Sequence, residues 1–75
     1  MASYRFQYRT GDGWADAGQE PASKESTARE AFDALLGSGH LAAGEYRFKR
    51  SDERASHPWG YLRLADDGTV ILGER

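Results

Sequence analysis

Residues 24–37 read Lys24-Glu25-Ser26-Thr27-Ala28-Arg29-Glu30-Ala31-Phe32-Asp33-Ala34-Leu35-Leu36-Gly37, and this stretch decides the fold. Ala28, Ala31, Phe32, Leu35 and Leu36 stand at i, i+3, i+4, i+7 and i+8, a single apolar stripe of an α-helix. Ser23 is placed to cap a start at Lys24, with Glu25 suiting the positive end of the helix dipole. Thr27, with Glu30 three residues later, offers a capping box as an alternative start. Gly37-Ser38-Gly39 supplies the stop, because glycine takes the left-handed conformation after a helix without steric cost. The pattern predicts one helix of about thirteen residues. No other segment has this period, so the stripe must be buried against strands.

The flanking segments alternate with period two instead. In Tyr4-Arg5-Phe6-Gln7-Tyr8-Arg9 the aromatic residues share one face of a strand, while Arg5, Gln7 and Arg9 share the other. Thr10-Gly11-Asp12-Gly13 reads as a tight turn in which Asp-Gly supplies positive backbone angles. Residues 14–17 form a short returning strand, which Gly18-Gln19-Glu20-Pro21 breaks. After the helix, residues 40–44 connect, with Leu41 tucked beneath them. Glu45-Tyr46-Arg47-Phe48-Lys49-Arg50 alternates again, and residues 51–57 form a polar loop. In Trp59-Gly60-Tyr61-Leu62-Arg63-Leu64, the leucines point inward and Trp59, Tyr61 and Arg63 outward. Asp66-Asp67-Gly68 is a hairpin signal, and Thr69-Val70-Ile71-Leu72 completes the pair. The expectation is an α+β fold of order β-β-α-β-β-β. One helix packs on one face of a small antiparallel sheet, and no second helix is left for the other face.

Seventy-five residues are too few for a second core, so a single domain is expected. With 39% hydrophobic and 29% charged residues, the chain has the balance of a small globule rather than a disordered tail. It has no cysteine, which excludes disulfides, thiolate metal sites and cysteine nucleophiles. No apolar run is long enough for a membrane span or a signal peptide, and a cytoplasmic protein is the expectation. The net charge of −2 weighs against a generic nucleic-acid coat and against wholesale DNA mimicry.

Catalytic patterns are thin. His40 and His57 are the only histidines, and no carboxylate is spaced to complete a metal triad with them, so both read as loop residues. Turn chemistry explains Gly11-Asp12-Gly13 and Asp66-Asp67. There is no nucleophile elbow, P-loop or dinucleotide fingerprint. A non-enzymatic protein without metal or cofactor is expected.

Charge is segregated more clearly than it is abundant. Residues 38–50 carry Arg47, Lys49 and Arg50 against Glu45 alone, whereas residues 19–37 carry Lys24 and Arg29 against Glu20, Glu25, Glu30 and Asp33. Period-two counting puts Arg5, Arg9, Arg47, Lys49 and Arg63 on the open sheet face, together with Trp59 and Tyr61. Arginine offers a planar fork for carboxylates or phosphates, and aromatic rings offer rigid contact area. An antiparallel sheet also normally turns polar residues to solvent on its uncovered face. Trp59 tilts the balance toward recognition, because a large exposed ring costs solubility unless it meets something. Trp14 reads as a hairpin cap over the core. Glu25, Glu30 and Asp33 make a secondary acidic face. The Glu25–Arg29 and Arg29–Asp33 pairs at i, i+4 account for that face structurally.

The layout, with strands at 4–9, 45–50, 59–65 and 69–72 and a helix at 24–37, resembles the small anti-CRISPR proteins of phages and mobile elements. The resemblance is one of layout and assigns no individual residue. It implies a protein that acts without catalysis, binding a CRISPR effector complex to block target DNA or a nuclease subunit. Some of that group are strongly acidic, a pattern from which the balance of −2 departs. The function expected is a protein-binding inhibitor or adaptor, with a nucleoprotein effector complex as partner. A single-stranded nucleic-acid module, with bases stacked on Trp59 and Tyr61 and phosphates on the basic residues, is the alternative. Residues 69–72, β-favouring and uncharged, also suggest homodimerisation through an edge strand.

Overall fold

The computed structural model describes residues 2–38 and 41–73. Its elements are β1 (Ala2–Thr10), β2 (Gly13–Ala22), α1 (Ala28–Ser38), β3 (Gly44–Arg50), β4 (Gly60–Leu64) and β5 (Val70–Leu72). The strands form one antiparallel sheet of order β2-β1-β3-β4-β5. This is the α+β arrangement that the two periodicities require. No helix is long and apolar enough to cross a membrane among the described residues.

The helix starts at the capping box rather than at Lys24. The Thr27 backbone N–H donates to Glu30 Oε1 at 2.9 Å, and the Glu30 N–H donates to Thr27 Oγ1 at 3.2 Å. Two otherwise unpaired donors are thereby satisfied reciprocally. Ser23 closes a turn with Ser26 instead: the Ser23 N–H donates to Ser26 Oγ at 2.9 Å, and the Ser26 N–H to the Ser23 carbonyl at 3.3 Å. Glu25 therefore precedes the helix and forms no helical pair with Arg29. Gly39 and His40, read above as part of the stop and as a loop histidine, lie outside the described residues.

Strand β2 is longer than the sequence suggests. It continues past Ala17 because a register shift opposite Phe6 and Gln7 absorbs one extra residue and lets pairing resume at Gly18. Gly18, at φ +135°, faces the helix, and a Cβ there would lie 2.9 Å from Leu35 Cδ1. The glycine that looks like a strand breaker is the residue that admits the helix. The first hairpin likewise turns on Gly11-Asp12, with Thr10 opposite Gly13, and the left-handed angle falls at Gly13 (φ +147°). At the last hairpin the Thr69 N–H donates to Asp67 Oδ1 at 3.0 Å, and hydrogen bonding from Thr69 holds the Asp67 carboxyl below its ordinary pKa. Thr69 itself stands outside β5, which is shorter than the run of β-favouring residues.

Between helix and sheet lies a core of Phe6, Ala31, Phe32, Leu35, Tyr46, Leu62, Leu64 and Val70, with three aromatic rings at its centre and Tyr4, Leu41 and Phe48 packed against it. Phe6 and Phe32 are completely buried. Their ring centroids are 5.3 Å apart, and Phe32 meets Tyr46 edge-on at 5.1 Å. Burial raises the pKa of Tyr46, and the neighbouring Tyr8 adds to the shift; the Tyr46 hydroxyl donates to the Ala42 carbonyl.

Arg50 is the strand residue that fastens the helix connector. Its position in the alternation puts it on the helix side, where its side chain is only 11% exposed. Its guanidinium donates to the carbonyls of Ser23 and Ser26 at 2.5 and 3.2 Å and pairs with Asp52 at 2.9 Å. It also lies over the Tyr4 ring.

Candidate functional site on the open sheet face

The register defines the uncovered face row by row. Across the middle run Asp16, Gln7, Arg47 and Tyr61, and beside them Gln19, Arg5 and Lys49. On the other side, Trp14 pairs with Arg9, Glu45 with Arg63, and Arg63 with Ile71. Arg5, Arg9, Arg47, Lys49, Tyr61 and Arg63 thus share one face as period-two counting requires, and Trp59 joins them from just before β4.

Trp14 belongs to the same face, not to the core. A two-residue turn puts it directly opposite Arg9, and cross-strand partners point to the same side of a sheet. Its ring reaches across two intervening strands to lie 6.2 Å from Tyr61.

These rings and the basic side chains stack in alternation. The Arg47 guanidinium carbon lies 4.7 Å from the Trp14 ring centroid and 4.0 Å from that of Trp59. Arg9 continues the ladder on Trp14 at 5.6 Å, and Lys49 Nζ approaches Trp59 at 5.4 Å. Each such contact contributes about 0.5–1 kcal/mol at an exposed site. Gln7 fixes the centre in the plane of the fork, its Oε1 accepting from Arg47 Nε at 2.7 Å. Arg47 is therefore held from both ring faces and at one edge, with its terminal nitrogens left as donors in a set direction.

The face is basic despite the acidic chain. Against five Arg and Lys side chains it carries the carboxylates of Asp16 and Glu45, and Glu45 already meets Arg9 at 3.7 Å. Arg5, Arg47 and Arg63 have no carboxylate within ion-pair distance among the described residues. Two shallow cavities flank the ladder. One, of about 430 Å³, lies among Arg9, Trp14, Glu45, Tyr61, Arg63 and Ile71. The other, of about 490 Å³, is lined by Arg5, Gln19, Lys49, Arg54 and Trp59.

The acidic residues of the opposite side are occupied by local structure. Glu30 completes the helix cap, and Asp33 meets Arg29 at 3.7 Å. Glu25 lies in the turn before the helix. His57 contacts Glu53 at 3.1 Å in the polar loop, and no cluster suited to a metal ion occurs among the described residues.

Counting register across the first hairpin was the signal that could have found Trp14. Gln7 offered no comparable signal, because its role depends on being directly opposite Arg47 on a strand forty residues away. In comparisons with known proteins, no family model, no curated protein and no solved structure gives a significant match.

Proposed function

We propose that the chain is a non-enzymatic protein-binding inhibitor or adaptor that receives an acidic surface of its partner on the open sheet face. The clamped Arg47 carries this reading. A guanidinium stacked between Trp14 and Trp59 and fixed by Gln7 has already lost most of its rotamer freedom, so binding a carboxylate through its terminal nitrogens costs little further ordering. Arg5 and Arg63 extend the same positive field to either side. In the form suggested by the layout, the partner is a CRISPR effector complex, and occupying it blocks target DNA or nuclease action.

A single-stranded nucleic acid is the second reading, favoured by the interleaving of rings and cations, which is also the composition of base-stacking platforms. Against it, Trp14 and Trp59 both have guanidinium groups stacked on them, which leaves less ring surface for bases.

The test is a paired charge reversal. Arg47→Glu combined with Arg63→Glu is expected to weaken capture of the effector complex ~100-fold or more, since it sets like charges against each other at the interface. The fold should be retained, with stability lowered by no more than the about 1–2 kcal/mol that the two cation–ring contacts of Arg47 supply. Asp33→Lys on the helix is the control and should retain binding. Loss of binding in the helix variant alone would assign the interface to the wrong side of the molecule. An unmodified chain that binds oligonucleotide but no effector complex would favour the second reading.

A further inference from the structure

The two edges of the sheet are built differently. Strand β2 ends the sheet on one side with a bulge, a proline at Pro21 and the acids Asp16 and Glu20, features that discourage another strand from adding. Strand β5 ends it on the other side with Val70-Ile71-Leu72, three residues without a bulge, a proline or a charge. Ile71 and Leu72 are 53% and 46% exposed.

The hydrogen bonds of the last hairpin show which backbone groups this edge offers. The Ala65 N–H donates to Thr69 O at 2.8 Å and the Gly73 N–H to Tyr61 O at 3.2 Å. Bonded pairs in an antiparallel ladder recur every second residue, so Arg63 and Ile71 form the bonded pair between them. The N–H and C=O groups of Val70 and Leu72 therefore point away from β4, to the side where the sheet has no further strand.

We propose that this edge pairs with the same edge of a second copy of the chain, antiparallel, about a two-fold axis at Ile71. The register is self-complementary. Val70 would exchange both hydrogen bonds with Leu72 of the second copy and Leu72 with its Val70, giving four bonds with every outward group of the two residues used. The two Ile71 side chains then meet as a close non-bonded pair on the open face, and each Val70–Leu72 pair is apolar on the helix side. Within the paired β5 strands no charged residue is brought directly opposite another. Such a contact is isologous and closes at two copies. It would join the two sheets edge to edge and set two basic faces side by side, so that a partner with repeated acidic surfaces is held at both.

The experiment is sedimentation equilibrium on the full chain from micromolar to millimolar concentration, with circular dichroism of each variant. The unmodified chain should pass from monomer to dimer across the series. Leu72→Pro removes an N–H that points outward and leaves the β4–β5 bonds in place, so it should hold the chain monomeric with its fold retained. Ile71→Lys, which sets two like charges on the axis, should do the same and decides the matter if the proline variant unfolds. A chain that stays monomeric throughout, or a dimer that survives Ile71→Lys, overturns the proposal.

Discussion

The two faces of this sheet come from the same strands and the same alternation, yet they are organised by different physics. On the helix side, Phe6, Phe32 and Tyr46 meet ring against ring away from water, and the contribution scales with the apolar area removed from solvent. On the other side, Trp14, Arg47 and Trp59 form a thinner layer of rings and cations that stays half-exposed. The first layer holds the chain folded. The second positions donors and charge. The difference teaches that a sheet face without a helix need not be bare: its own side chains can lie across it and become ordered.

The largest effect should follow from breaking the helix side. Phe32→Ala removes a fully buried ring from the centre of the core, and such truncations cost about 3–5 kcal/mol. A single core in so short a chain rarely supplies more than about 3–5 kcal/mol in all. The variant should therefore be largely unfolded at room temperature by circular dichroism. A cooperative melt close to that of the unmodified chain would show that the core does not depend on this ring.

A smaller effect should follow on the other side. Trp59→Leu removes the ring from Arg47 and Lys49, two cation–ring contacts worth about 0.5–1 kcal/mol each at exposed positions. Chemical denaturation should show a loss of about 1–2 kcal/mol with the cooperative transition preserved. If Trp59→Leu proved as damaging as Phe32→Ala, the division between a holding face and a presenting face would fail.

Much of this comparison was legible in the sequence. Periods of 3.6 and 2 gave the helix, the strands other than the second half of β2, and the face on which most strand residues lie, because burial on one side leaves a repeating signature. The basic character of the open face followed in the same way, and Leu41 packs against the core as its lone large apolar side chain in a connector suggests. What could not be read depended on contacts between distant segments. Gly18 looks like a strand breaker until the helix is placed over it, and Arg50 counts as one more surface charge until the Ser23 and Ser26 carbonyls are brought to it. The choice between Ser23 and Thr27 as cap was open on composition. The turn at Ser23 and Ser26 engages Ser23 in its own hydrogen bonds and leaves Thr27 to start the helix. Trp14 reads as a core cap because tryptophan near a hairpin fits either face, and only the exact turn length sets its side.

The claim that the open face recognises carboxylates through a preordered Arg47 can be tested before any natural partner is in hand. Titrating poly-L-glutamate into the isotopically labelled chain at low salt, nuclear magnetic resonance would follow Arg47 Nε–H and the indole N–H of Trp14 and Trp59. Shifts at those three signals and at Arg5 and Arg63, with Arg29 to Asp33 unmoved, are the expected result. Shifts concentrated on the helix, or none on the open face while an oligonucleotide moves the same indole signals, would contradict it.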